Sequence, residues 1–238
     1  MEASYTREDF LEGRVLLIDK PLGWTSFQAV NAVKWAIRRK FALKKIKVGH
    51  AGTLDPLATG LLLICTGKST KMIAELQSQP KEYTGIISLG STTPSYDLET
   101  AADRQYPTSH IKEQDIYQAA LAFVGEIQQK PPVFSALKKD GKRMYELARK
   151  GEQIEIPARM VQIHEFDIIA IQGLEIRFRV KCSKGTYIRS LAHDFGLYLG
   201  SGGHLSALRR TKIGEYDVNI GQSPEDFKEK LLEENTNP

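Results

Sequence analysis

The chain holds two cysteines in 238 residues, Cys65 and Cys182, far apart and each inside an apolar run. That is too few for a disulfide framework, and neither lies in a C-x-x-C pattern, so both read as buried thiols of a reducing cytoplasm. The histidines, at positions 50, 110, 164, 193 and 204, show no H-x-x-x-H spacing, which argues against a metal centre. No run of eighteen apolar residues occurs, so no membrane-spanning helix is expected. The N-terminus carries Glu2, Glu8 and Asp9 where a secretory signal needs a basic and then an apolar segment. A P-loop, an internal repeat and a Pro/Ser/Gly linker are all missing. One continuous body is therefore expected, large enough to bury roughly 70–75% of its unfolded surface.

Acids are also missing from one window. Residues 34–47 hold Lys34, Arg38, Arg39, Lys40, Lys44, Lys45 and Lys47 with no Asp or Glu among them. Both chain ends are acidic, so the net charge of +4 understates how basic the body is. Such a stripe is a footprint for a polyphosphate, most simply nucleic acid, although many charge runs are only solvated faces. Its position sharpens the reading, because it leads directly into Val48-Gly49-His50-Ala51-Gly52-Thr53-Leu54-Asp55-Pro56-Leu57-Ala58-Thr59-Gly60. Three glycines and a proline bend this backbone tightly around one carboxylate, Asp55, ahead of the apolar run Leu61-Leu62-Leu63-Ile64. An Asp-Pro bend alone would explain the turn. An acid displayed there is also posed for chemistry.

Elsewhere Val15–Ile18 reads as a buried strand ended by Lys20-Pro21-Leu22-Gly23. Thr25 or Ser26 can cap a helix whose apolar positions Phe27, Val30, Val33 and Ile37 keep helical spacing. Strands are predicted over residues 61–65 and 83–89, a short helix over 68–76, and a helix from Ser109 to Val124 closed by Gly125. A short basic helix is expected over 142–149. Leu174, Ile176, Phe178, Val180 and Cys182 alternate with Glu175, Arg177, Arg179 and Lys181, the pattern of a half-buried antiparallel strand with a basic wet face. A helix over 185–199 is broken by Gly200-Ser201-Gly202-Gly203, and a strand over 205–210 ends in Arg209-Arg210. Ser223-Pro224-Glu225-Asp226 opens a capped acidic helix. Strands and helices do not alternate regularly, so the expected fold class is α/β of the α+β kind, with a mixed, mainly antiparallel sheet.

Five spaced blocks between residues 14 and 215 resemble the bacterial tRNA pseudouridine synthases of the B type. They are Asp19-Lys20-Pro21-x-Gly23-x-Thr25-Ser26, the loop at 49–60, Lys81-x-Tyr83, the segment Gln129 to Gly141, and Cys182 to Arg189 followed by Leu208-Arg209-Arg210. The loop at 49–60 is highly specific; the other four are weaker singly but stand in the right order. The resemblance implies the pseudouridine synthase fold, with an RNA cleft across its sheet. It also implies isomerisation of the T-loop uridine at tRNA position 55. That reaction breaks the N1–C1′ bond, turns the base, rejoins it through C5 and releases the C5 proton. Nothing is oxidised or transferred to another molecule, so no cofactor and no metal are expected.

By the same resemblance, Asp55 is the catalytic carboxylate, acting as nucleophile or as base at C2′. Arg189 is the cation that keeps it charged against a nucleobase, and Tyr83 stacks on the target base and handles the C5 proton. A T-loop uridine is stacked and must be flipped out, and His50 matches the residue that fills the vacated space. Tyr187 and Leu208 line the uracil pocket, and Asp97 hydrogen-bonds near the cleft. Lys20, Lys130 and Lys138 meet phosphates, as do Lys139, Lys142 and Arg143. The expected organisation is an N-terminal extension (1–13), a catalytic domain (14–221) and a short acidic helix or tail (222–238) in place of a full C-terminal RNA-binding domain. Residues 131–158 resemble a mobile RNA-binding insertion. The partner is the T stem-loop of tRNA, met by a cytoplasmic monomer with no obligate protein partner and no membrane. A non-catalytic tRNA-folding chaperone is the alternative, with a guide-dependent relative and a nucleotide hydrolase behind it. Asp55, Tyr83 and Arg189 together favour catalysis, because binding alone needs none of them.

Overall fold

The computed structural model describes residues 5–134, 138–139, 142–143 and 156–233. Contacts gather the chain into two compact units, residues 1–82 with 209–238, and residues 83–208. Both boundaries fall inside continuous strands, so composition carries no trace of the division.

The first unit opens with α1 (Arg7–Glu12), β1 (Val15–Lys20), α2 (Ser26–Lys40), β2 (Val48–His50) and β3 (Ala58–Thr66). A 3₁₀ turn, Gly67–Met72, then runs into α3 (Ile73–Ser78). The second contains most of β4 (Lys81–Leu89), then β5 (Ser91–Thr92), β6 (Arg104–Gln105), α4 (Glu113–Ala122) and β7 (Gly125–Gln129). After these come β8 (Lys138–Lys139), β9 (Lys142–Arg143), β10 (Arg159–Gln172), β11 (Glu175–Cys182) and α5 (Ile188–Tyr198). Strand β12 (Gly203–Ile213) returns the chain to the first unit, which ends with β13 (Tyr216–Asp217) and α6 (Pro224–Glu233). Hydrogen-bonded strands run β1-β3-β12 in the first unit and β12-β4-β11-β10-β7 in the second. The pairings of β1 with β3, β2 with β3, β7 with β10 and β10 with β11 are all antiparallel. No described helix is long and apolar enough to cross a membrane.

Burial explains the unbroken apolar run in β3. Leu62 and Ile64 point into one cluster with the inner face of α2, while Leu61, Leu63 and Cys65 point into a second with Leu76, Ile213 and Val218. A strand covered on both faces cannot alternate. Helix α2 begins at a capping box, Thr25 with Gln28, which satisfies orphan amides at both residues. Its buried positions are Ser26, Ala29, Val30, Val33, Ala36 and Ile37. Phe27, expected in the core, is 70% exposed: the small residues Ser26 and Ala29 hold the inward stripe and leave Phe27 outside it. Helix α1 is capped by Thr6 and Asp9 and drives Phe10 into the same core, against Tyr5, Phe41 and Phe227. Phe227 and Leu231 bring α6 there as well, each burial worth about 1.5–3 kcal/mol.

Two expected helices change, and one long strand has no counterpart among the expected elements. The helix over 109–124 shortens to 113–122, because Thr108–Ile111 closes its own turn and Gly125, at φ +112°, opens β7. Of the basic helix at 142–149, Lys142-Arg143 instead pairs with β8 as a strand, and residues 144–149 lie outside the described residues. Strand β10 is fourteen residues long yet carries no clean alternation, since register shifts at Ile163/Glu165 and Ile168/Ala170 break the period.

Candidate active site

In the first unit the Asp55 loop is held on both flanks by groups distant in sequence. On one side Ser26 Oγ accepts from Leu54 N at 2.8 Å and donates to Leu54 O at 3.1 Å. On the other, Gly23 N donates to Pro56 O at 2.9 Å, and Ala58 N to Asp55 O at 3.1 Å. Beneath lies Arg210, 1% exposed, whose guanidinium donates to Leu61 O at 2.8 Å, Gly52 O at 3.0 Å and Thr53 O at 3.5 Å. Gly60, at φ +103°, lets this happen: a Cβ there would lie 2.3 Å from the Arg210 carbonyl oxygen. The neighbouring Arg209 grips Asp19 with two parallel bonds of 3.0 and 2.7 Å, fixing the end of β1. Removing Ser26 Oγ by Ser26→Ala orphans both polar groups of Leu54 and is expected to cost about 1–3 kcal/mol. Urea unfolding measures that loss.

Lys20 corrects an expectation. It is 0% exposed, with its ammonium donating to Pro21 O at 2.9 Å and Trp24 O at 2.6 Å, so it is not presented to a phosphate. Burial pushes its pKa down to about 8, Asp55 and Asp19 pull it up, and Arg210 adds to the depression. Lys20 is thus a buried cation in the electrostatic neighbourhood of Asp55. His50, at the end of β2, is half-buried; burial and then the Arg210 charge lower its pKa, which keeps the imidazole neutral at pH 7.

The second unit gathers Asp97, Arg189, Tyr187 and Lys130. Arg189, 4% exposed at the start of α5, sits with Nε 3.5 Å from Asp97 Oδ2 and donates to Ser95 O at 3.1 Å and Phe134 O at 2.8 Å. Asp97, 5% exposed, also accepts from Glu99 N at 2.9 Å. Thr100 Oγ1 accepts from Ser95 N at 3.1 Å and shares a 2.9 Å bond with Ser95 Oγ, which ties the far side of this loop. Between them Tyr96 adopts φ +64° and stacks on His193 with centroids 3.8 Å apart. Gln129, fully buried, exchanges two bonds with the Tyr187 backbone, and Ser190 Oγ donates to Lys130 O at 2.8 Å. Arg159 lies over the Tyr187 ring at 4.8 Å. Tyr83 is buried in β4 and Leu208 half-buried in β12, while Lys130 is exposed. Lys138 lies in β8, and most of the insertion at 131–158 falls outside the described residues.

Residues 38–188 match the sequence profile described as TruB family pseudouridylate synthase (N terminal domain). The chain belongs to the TruB family. Residues 189–237 match the companion profile, tRNA pseudouridylate synthase B C-terminal domain. TruB relatives include a protein of Flavobacterium johnsoniae named tRNA pseudouridine synthase B, 63% identical over 95% of this chain and 99% of its own. Another of the same name from Parabacteroides distasonis is 52% identical over 95% of this chain and 96% of its own. Among solved structures, a chain of an archaeal box H/ACA sRNP Nop10-Cbf5 complex superposes with a TM-score of 0.65 at 28% identity. It is matched over 92% of this chain but 54% of that one, so this chain spans about half its length.

The sequence offers Ser26 only as a possible helix cap, a place Thr25 takes, and marks no role for Arg210 or Gln129. The Arg209-Arg210 pair carried a usable signal, because consecutive residues of a strand face opposite ways and one arginine must point inward. Gln129 opened a resembling block but looked like one of several polar residues.

Proposed function

We propose that this protein isomerises a T-loop uridine of tRNA to pseudouridine, with Asp55 as the carboxylate that attacks or deprotonates the flipped nucleoside. One observation carries the reading. Backbone and buried side chains brace the loop immediately before and after Asp55, so the backbone that carries its carboxylate is held in place without the ordering cost of a mobile loop. Family membership supplies the reaction class, and the rigid loop supplies a reason for the glycines and the proline. Tyr83 is proposed to stack on the base and pass the C5 proton, with Tyr187 and Leu208 completing an apolar wall. Arg189 opposes the rise in the Asp55 pKa that burial by a nucleobase would cause. His50, neutral at pH 7, is suited to occupy the gap in the base stack without carrying charge into it. Lys130 and Lys138 are proposed to meet phosphates, and Asp97 to hold Arg189 in place.

The test is direct. Purified protein mixed with unmodified tRNA transcript should yield pseudouridine at one T-loop position, mapped on the product. Accelerated refolding of the transcript with no pseudouridine formed would leave the chaperone reading in its place.

A further inference from the structure

We infer that a basic groove on the first unit is a second RNA contact, seating phosphates of the tRNA outside the T arm; this rests on tRNA being the substrate. The groove encloses about 740 Å³. Lys34 and Arg38 reach it from α2, Lys44, Lys45 and Lys47 from the following loop, and Lys71 from the 3₁₀ turn after β3. Lys68 is a seventh cation, and no acid lines the groove. Leu11 and Ile46 give it apolar wall.

Neutralisation within the protein is slight. Lys68 reaches Glu12 at 2.6 Å, but both side chains are about two-thirds exposed and such a pair contributes little. Among the described residues the other six cations form no ion pair. Arg38 donates Nε to Leu43 O at 3.1 Å, which fixes the direction of its guanidinium. The α2 dipole accounts for cations in its last turn, Arg38, Arg39 and Lys40. It does not account for Lys44, Lys45, Lys47 or Lys71, which lie outside the helix. Overall the chain has 29 acids for 33 Lys and Arg, so an acid-free cluster of seven is not a reflection of composition. Like charges held together destabilise a compact state unless a polyanion accompanies them.

Position separates the groove from the reacting nucleotide. Lys47 O accepts from Gly67 N at 2.9 Å, which places the groove at the Thr66 end of β3, while the Asp55 loop enters at the Ala58 end. Eight strand steps of about 3.3 Å put roughly 26 Å between the two. No single nucleotide reaches both, so phosphates in the groove belong to a different part of the folded tRNA.

The test uses a Lys44→Gln, Lys45→Gln, Lys71→Gln variant of the full chain, since all three side chains are exposed and none supports the fold. Fluorescence anisotropy over a salt series compares an unmodified full-length tRNA transcript with a T-arm minihelix. For the full-length transcript, affinity should fall about tenfold or more and the log–log salt slope by about 2, while minihelix affinity and turnover stay at wild type. Equal losses on both RNAs would make the groove part of the T-arm site and overturn the inference. No loss on either would reduce it to surface charge. Should wild-type protein form no pseudouridine on either RNA, the isomerase reading fails, yet the difference in binding still decides the groove.

Discussion

Asp55→Asn is expected to lower pseudouridine formation on the order of 10⁴-fold or more while tRNA affinity stays close to wild type. The amide keeps the volume of the carboxylate and removes its charge. The braces on the loop are made by Ser26, Gly23 and Arg210 to backbone atoms of Leu54, Pro56, Gly52 and Thr53, so the loop survives the change. Tritium release from C5-labelled uridine in a T-arm minihelix measures the loss, and activity within tenfold of wild type would remove Asp55 from the chemistry. A second readout comes from Lys20. Its folded pKa, about 8, lies below the ordinary lysine value of 10.5, so between those pH values the unfolded chain binds the extra proton and stability rises with pH. Asp55 raises that pKa. Without its charge the pKa falls further, and the upward slope in urea midpoints should begin at lower pH in Asp55→Asn than in wild type.

Candidate site residues are easier to read from the sequence than the groups that support them. Asp55 stood out because glycines and a proline crowd one short segment, and that crowding is a property of the backbone itself. Arg210 did not stand out as a support, since its three carbonyl partners at positions 52, 53 and 61 are about 150 residues away and no local pattern records such a contact. Lys20 was misread for a related reason. A lysine beside a Pro-x-Gly turn is ordinarily exposed, and burial becomes tolerable because the carbonyls of Pro21 and Trp24 close over its ammonium while Asp55 and Asp19 offset its charge. Strands β3 and β11 were legible through an unbroken apolar run and a strict alternation. Strand β10 was not, because its bulges shift the inward face twice. The α1 cap, Thr6 with Asp9, is a local pattern, but a six-residue helix with one apolar aromatic among acids does not by itself mark Phe10 as core.

Arg189→Met should lose about 3–5 kcal/mol of stability and most turnover together, and the pairing with Asp97 tells the two losses apart. Methionine fills much of the space but leaves Asp97, 5% exposed, without the cation 3.5 Å away, and leaves the Ser95 and Phe134 carbonyls without that donor. An unpaired buried carboxylate is the expensive part of that change. Asp97→Asn combined with Arg189→Met removes both charges, so the double variant should unfold at higher urea than Arg189→Met alone. If the arginine only braces the loop at 93–97, turnover should recover with stability in the double variant. If its charge keeps Asp55 ionised against the base, turnover should stay low, by about 10²–10³-fold, in both variants, because neither restores a cation. Lys130, whose carbonyl accepts from Ser190 beside Arg189, gives a neutral control. Its exposed side chain lies outside the Asp97–Arg189 pair, so Lys130→Gln should alter the salt dependence of binding and leave the urea midpoint where it was.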